Sequence, residues 1–257
     1  LAIADAEHLD RLRDCGTRVG LAVTQTADVL VDDPSAPDTT RSPEADTIPR
    51  RSEAAFEVTN IQFTSGSTGT PKGVLQPGAM WLCDSVFMRE RFGLGDRPRV
   101  ALCMPISFGG GLNVLMGSLL SGCDVLVADP RQGTPTDLLD MIAAEKTHTA
   151  FLTPSLLRSL VRASNIGDAH PAWSAMRRII TTGEPLFGET ATAALALAPQ
   201  TTVTNCAGSS ETYAIGHFDV RAGDPVRTGP LPAGTPALHK TVTIEPSGRV
   251  SISSRYI

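Results

Sequence analysis

The stretch Ile61–Val74, IQFTSGSTGTPKGV, sets five hydroxyl residues, three glycines and one lysine in the ten positions from Thr64 to Gly73. Backbone N–H groups and small hydroxyls in such a run can wrap around a polyanion, and Lys72 adds one mobile positive charge at the far end. Phosphate is the guest that this chemistry favours. The strand-like run VTNIQFTS leads into the loop and KGVLQ resumes a strand behind it, which argues against a plain Ser/Gly linker.

Working outward, the chain alternates. Downstream of the loop, AMWLCDSVFMRERFGL has helical periodicity and RVALCMP is a strand; a helix from about Leu112 to Leu120 leads through Gly122 into the strand DVLVAD. TPTDLLDMIAAEKT is a marked helix, with Thr134 as cap, Pro135 at its first position and Asp137 completing a capping box. HTAFLT, MRRIITTG and TTVTNC read as strands, and PSLLRSLVRA and FGETATAALALA as helices. Upstream, DAEHLDRLRDCG reads as a helix, and RVGLAVT and ADVLVDD as strands. This alternation predicts an α/β fold of stacked, mostly parallel sheets with covering helices. The tail HKTVTIEPSGRVSISSRYI predicts a short antiparallel or barrel-like C-terminal segment turning at Pro246-Ser247-Gly248.

Composition narrows the function classes. The chain has 257 residues and a net charge of −5, with 41% hydrophobic and 19% charged residues, as a globular protein has. Neither a basic excess nor a basic patch is present, so no nucleic-acid partner is expected. The five cysteines (Cys15, Cys83, Cys103, Cys123, Cys206) form no C-x-x-C pair and read as reduced, apolar residues of a cytoplasmic protein. The run GLNVLMGSLLSGCDVLVA is broken by Asn113, Ser118, Ser121 and Asp124, which speaks against a membrane span. The chain begins at Leu1, which reads as a processed chain, a fragment or an excised piece.

Two familiar phosphate loops fail. A Walker loop counted from Gly66 needs glycine where Pro71 stands, and a magnesium-binding hydroxyl where Gly73 stands. The glycine spacing at 66, 69 and 73 is not that of a dinucleotide fingerprint.

The stretch FTSGSTGTPKGV instead resembles the signature loop of the adenylate-forming superfamily: acyl-CoA synthetases, luciferases and nonribosomal peptide synthetase adenylation domains. Further segments resemble that family in its own order: MPISFGGGLNVLMGSLLSG, LTPSLLRSL, RRIITTGEPL, NCAGSSET and the final SRYI. The resemblance covers residues 57–257 and is nearest to a synthetase-type adenylation domain. It implies residues 1–32 as a partial N-terminal α/β segment and 33–54, rich in Pro, Asp, Ser and Thr, as a linker or surface loop. Residues 55–218 would form a nucleotide- and acid-binding core and 219–257 a β-rich segment, the family's mobile C-terminal lid with its second lysine being absent. On that ground the chain alone is expected to be weakly active or inactive.

The same resemblance implies the roles. ATP phosphates would be held by Thr64, Ser65, Gly66, Ser67, Thr68 and Gly69, with Lys72 and Thr68 acting in catalysis. Glu211 would bind Mg²⁺, a hard cation suited to a carboxylate, and Ser210 keeps the hydroxyl of the family's usual threonine. Thr182, Gly183, Glu184, Pro185, Asn205, Ala207 and Gly208 would surround the adenosine. Phe108, Gly109, Gly110, Asn113, Phe151, Ile180, Thr182, Cys206, Ala214 and Ile215 would line the acid pocket, and the glycine run 109–111 would leave room on one wall.

Two departures carry information. Ala207 stands where the family usually has an aromatic against adenine. Gly109 stands where amino-acid-activating members place an aspartate for the substrate ammonium, and an ammonium without a counter-ion in a closed pocket is costly. The expected reaction is therefore ATP-dependent activation of a small carboxylic acid lacking an α-amine to acyl-AMP, with release of pyrophosphate. Thioester formation on a phosphopantetheine carrier protein or coenzyme A would follow. The alternatives left open are an acyl-CoA ligase and a non-catalytic, adenylation-like scaffold.

Overall fold

The computed structural model describes residues 2–4, 23–25, 58–64, 72–95, 98–164 and 170–256. Expectations for 5–22 and 26–57, and for the loop residues 65–71, lie outside the described residues. The chain divides into two compact units, Leu1–Ala45 and Asp46–Ile257, the division falling inside the Pro-, Asp- and Thr-rich stretch. In the first unit, β1 (Ala2–Ala4) pairs in parallel with β2 (Val23–Gln25).

In the second unit, β3 (Val58–Thr64) and β4 (Lys72–Pro77) form an antiparallel hairpin, followed by α1 (Gly78–Phe92). Next come β5 (Arg99–Leu102), α2 (Gly109–Leu120), β6 (Asp124–Val127), α3 (Pro135–Ala144), β7 (Thr149–Leu152) and α4 (Pro154–Ala163). Then follow α5 (Pro171–Ala175), β8 (Arg178–Thr181), α6 (Gly188–Leu197), β9 (Thr202–Ser209), β10 (Tyr213–Val220) and β11 (Thr235–Pro236). The main sheet has the order β11-β10-β9-β8-β7-β5-β6. Strands β9, β8, β7, β5 and β6 run parallel, while β10 and β11 are antiparallel additions at one edge. A small antiparallel hairpin, β12 (Thr241–Ile244) with β13 (Val250–Ser253), closes the chain around the expected turn.

Strand alternation sorts the core into two faces. Ala101, Ala150, Leu152 and Ile179 pack with Leu138, Ile142, Leu157, Trp173 and Leu195 of α3 to α6. Val100, Leu102, Phe151 and Ile180 pack on the other face with Phe87, Phe92 and Val114 of α1 and α2. The helix α3 carries the expected capping box between Thr134 and Asp137. Helix α2 starts at Gly109, earlier than apolar periodicity indicates, because its first turn is glycine and contributes no periodic side chain. Strand β10, not expected, continues from β9 through a turn at Ser210–Thr212.

Candidate active site

From β5 the chain goes to β6 on one side and then to β7 on the other, so the strand order reverses there. In parallel sheets ligands collect in the crevice outside the carboxyl ends at such a reversal. The segments leaving those ends are Cys103–Phe108 after β5, Thr153 after β7 and Thr182–Pro185 after β8, with the last residues of β9 beside them. They carry Phe108, Thr182, Gly183, Glu184 and Pro185, and the end of β9 carries Asn205, Cys206, Ala207 and Gly208.

A cavity of about 180 Å³ opens there, between the α1–α2 face of the sheet and those helices. Phe108, Gly110, Asn113, Phe151, Ile180, Thr182, Cys206 and Ala214 line it, joined by Phe87, Met88, Phe92, Val114 and Tyr213, which the sequence did not single out. Gly109 and Ile215 are not among its walls. Ile215 is the extra residue of β10 where its register against β9 shifts between Ala214 and Gly216, and a bulge of this kind re-aims the side chain. A Cβ at Gly109 would stand 3.1 Å from Ser210 Oγ and 3.4 Å from Gln62 Cγ, on the side of the turn after β9.

The glycine run serves close approach more than room. A Cβ at Gly111 would lie 2.1 Å from the Pro105 carbonyl oxygen. One at Gly110 would lie 2.6 Å from the Phe108 ring, and one at Gly183 would lie 3.1 Å from it. Phe108 thus sits half-exposed across the cavity mouth, on two residues without side chains.

The β3–β4 hairpin places Thr64 opposite Lys72, so the loop between them leaves and returns at paired positions. Ser65, Gly66, Ser67, Thr68 and Gly69 lie outside the described residues. The inner face of the hairpin is hydrogen-bonded to the cavity rim. Gln62 Nε2 donates to the Ser107 carbonyl at 3.2 Å and Gln76 Nε2 to the Ser210 carbonyl at 2.7 Å. Tyr213 Oη donates to Gln76 Oε1 at 2.6 Å while accepting from Trp81 Nε1 at 2.7 Å. Burial pushes the Tyr213 phenol up to about 12, so it remains the donor this chain of bonds needs. Lys72 and Glu211 are both exposed, Glu211 on the turn that Gln76 anchors.

On the nucleotide side, Gly208 lines the cavity and Ala207 precedes it on β9. Asn205 Nδ2 donates to the Pro232 carbonyl at 2.9 Å. Glu184 is engaged elsewhere: its carboxylate accepts from Ser155 N at 3.2 Å and from Ser155 Oγ, at the N-terminus of α4. Pro185 is exposed beside it.

Behind the cavity lies a polar cluster that periodicity did not reveal. Asp84 on α1 accepts from Lys240 Nζ at 3.1 Å, from Asn113 Nδ2 at 2.9 Å and from Ala214 N at 3.1 Å. Lys240 also donates to the Thr212 and Ala214 carbonyls. Sequence reading placed Lys240 in the tail strand; it precedes β12 and its side chain is buried, because three oxygens around it balance the cost of leaving water. The available signal was Asp84, one acid inside the apolar run MWLCDSVFM. The Cys206 thiol is pushed up to about 12 by burial and stays neutral in the cavity wall. Among the described residues no three His, Cys, Asp or Glu side chains cluster as a metal site, and no helix is long and apolar enough to cross a membrane.

With this geometry the model of the family described as AMP-binding enzyme matches residues 2–249. The chain belongs to that family of adenylate-forming enzymes. It is 27% identical over 244 residues to the L-proline--[L-prolyl-carrier protein] ligase of Pseudomonas fluorescens, covering 92% of this chain and 47% of the relative. It is 30% identical over 137 residues to the acetyl-coenzyme A synthetase of Bartonella quintana, covering 50% of this chain and 20% of the relative. The chain thus spans less than half the length of these relatives. Its fold is shared with the nonribosomal peptide synthetase FmoA3 in its alpha-methyl-L-serine-AMP bound form, with a TM-score of 0.73 at 20% identity over 99% of this chain and 28% of that one.

Proposed function

We propose that the AMP-binding chain belongs to a ligase that activates a small carboxylic acid lacking an α-amine. ATP and the acid give acyl-AMP and pyrophosphate, and the acyl group then passes to a thiol. The observation that carries this reading is the joining of three parts. The hairpin bearing Thr64 and Lys72, the turn bearing Ser210 and Glu211, and the rim of an apolar cavity are hydrogen-bonded together.

Attack of a carboxylate on the α-phosphate brings two anions together, so cations and N–H donors must offset the repulsion and the developing charge. Lys72 and the loop that follows Thr64 supply them, with Ser65, Gly66, Ser67, Thr68 and Gly69 holding phosphate oxygens. Mg²⁺ fits the exposed Glu211, since this cation is commonly held by one carboxylate together with phosphates and waters. When bound, it offsets phosphate charge. Thr182, Gly183 and Asn205 to Gly208 flank the adenosine, with Ala207 giving it no ring to stack on. Glu184 and Pro185 support this side from the α4 terminus.

Among the described residues none that lines the cavity is charged, and Asp84 behind them is already paired with Lys240. An ammonium there would have no counter-ion, which supports an acid without an α-amine. The proposed acceptor is a carrier-protein phosphopantetheine. The relative matching 92% of the chain is named for a prolyl-carrier protein, while coenzyme A remains the acceptor in the name of the shorter match.

The test is calorimetric binding of ATP with Mg²⁺, together with acid-dependent pyrophosphate release trapped by hydroxylamine. Both are run on the chain and on Lys72→Ala and Glu211→Ala. Weaker ATP binding in both variants, and at least about a hundredfold less pyrophosphate wherever turnover is seen, is the expected result. An absence of ATP binding in the unaltered chain would favour the non-catalytic scaffold.

A further inference from the structure

Gln76, on the inner face of β4, is wholly buried, and its carboxamide bonds to three segments. The direction of those bonds is fixed from one end. The Trp81 indole N–H can only donate, and it meets the Tyr213 hydroxyl oxygen at 2.7 Å. The Tyr213 proton therefore points the other way, to Gln76 Oε1 at 2.6 Å, where Asn60 Nδ2 also donates at 2.7 Å. With Oε1 receiving two donors, Nε2 is left to face the Ser210 carbonyl, and it does so at 2.7 Å. Packing alone would be met by an apolar side chain of that size; a fully bonded buried amide fixes a position.

Ser210 opens the turn that carries Glu211, and this turn does not hold its shape unaided. Tyr213, at its far end, sits at a φ of 54°, a left-handed backbone uncommon for a bulky residue. Such a conformation persists only where the surroundings impose it. Gln76 grips the Ser210 carbonyl, Lys240 the Thr212 carbonyl, and the hydroxyls of Ser209 and Thr212 meet at 3.1 Å. Of these groups only Gln76 shares a strand with Lys72. We infer that Gln76 is a positioning residue: it sets the Glu211 turn against the Lys72 strand, so that the lysine and a Glu211-held Mg²⁺ reach the phosphates of one ATP together. Trp81 and Tyr213 act through it, by settling which end of the amide meets Ser210. The inference rests on the adenylation reading and adds to it what holds the two phosphate-binding parts in register.

The experiment is calorimetric binding of ATP, with Mg²⁺ and with EDTA, to the chain and to its Gln76→Met and Tyr213→Phe variants. The quantity read is the factor by which Mg²⁺ tightens ATP binding, because a general loss of folded protein lowers both affinities alike and divides out. Gln76→Met keeps the size and loses every bond. It should reduce that factor about tenfold, as removal of a group that orients a metal ligand ordinarily does. ATP affinity in EDTA should change by less than about threefold, since Lys72 keeps its hold on phosphate. Tyr213→Phe removes one hydroxyl and leaves Asn60 in place. It should lower the factor by about threefold, and it decides the matter where Gln76→Met does not fold. An unchanged factor, or equal losses with and without Mg²⁺, overturns this inference alone. If Mg²⁺ does not tighten ATP binding in the unaltered chain, the inference falls together with the placing of Mg²⁺ on Glu211. Absence of any ATP binding removes the adenylation reading as well.

Discussion

Lys240 Nζ stands 3.1 Å from Asp84 Oδ1, and the two side chains are only 3% and 2% exposed. The pair joins the segment before β12 to α1 across more than half the sequence. It also reaches the site from behind: Asp84 holds Asn113 and the Ala214 amide, and Lys240 holds the carbonyls on either side of Tyr213. Two walls of the cavity and the turn bearing Glu211 therefore depend on one balanced charge pair.

Removing one partner leaves the other charge buried and unpaired. Lys240→Met should lower stability by about 3–5 kcal/mol in urea unfolding. The double variant Asp84→Leu/Lys240→Met should recover only part of that loss. Asn113 Nδ2 and Ala214 N would then lack an acceptor, at about 1–3 kcal/mol each. A loss below about 1 kcal/mol in Lys240→Met would show that the pair is not structural.

That pair also marks where sequence reading stops. Helices and strands with strong local signals, such as α3 with its capping box and β12–β13 around Pro246-Ser247-Gly248, were legible because spacing and turn chemistry agree. Most of the cavity wall was legible because Phe151, Ile180 and Asn113 sit in segments resembling a known pocket. Gln76, Tyr213, Asp84 and Lys240 were not, because their side-chain partners outside the β3–β4 hairpin lie 26 to 156 residues away, and nothing local announces such a bond. Strand β10 escaped for a related reason: YAIGHFDV has no clean alternation, since its register shifts between Ala214 and Gly216.

Glu184 separates a ligand role from a structural one. Its carboxylate meets the Ser155 amide and hydroxyl at the start of α4, where a negative group also favours the helix dipole. Glu184→Ala should therefore cost about 1 kcal/mol in thermal unfolding and change ATP affinity by less than about threefold, near the limit of calorimetric significance. A tenfold loss of ATP affinity with unchanged melting would instead return Glu184 to the nucleotide.

The glycines at the start of α2 should respond unequally. At Gly111 the added methyl would meet the Pro105 backbone oxygen at 2.1 Å, and neither chain segment can step aside. Gly111→Ala should lose about 1–3 kcal/mol or more of stability. At Gly110 the obstacle is the half-exposed Phe108 ring, which can rotate. Gly110→Ala should fold nearly as well, and its effect should appear in acid binding through the displaced ring at the mouth. Equal melting temperatures for the two variants would contradict this assignment.

The pH dependence of stability should form a plateau with two distinct limbs. Burial raises the Cys103 and Cys206 thiols to about 12 and those of Cys83 and Cys123 to about 11, from an ordinary 9.0. Below 9.0 both folded and unfolded thiols hold their protons and add no slope. Above it the unfolded chain ionises first, so stability falls as pH rises toward 11 and 12. His217 works in the other direction. Burial against Phe87 and Phe92 lowers it below 6.5, outweighing the attraction of Asp219, with Arg91 and Arg178 adding to the lowering. Above 6.5 its neutral form is held in both states; below it the unfolded chain takes up the proton first, and stability falls as pH drops. Urea midpoints between pH 4 and 11 should therefore be highest and flattest between 6.5 and 9.0. His217→Phe should soften the acid limb without touching the alkaline one, and Cys103→Ala the reverse. Stability still rising above pH 9.0 would show that these thiols ionise as easily in the folded chain as in the unfolded one.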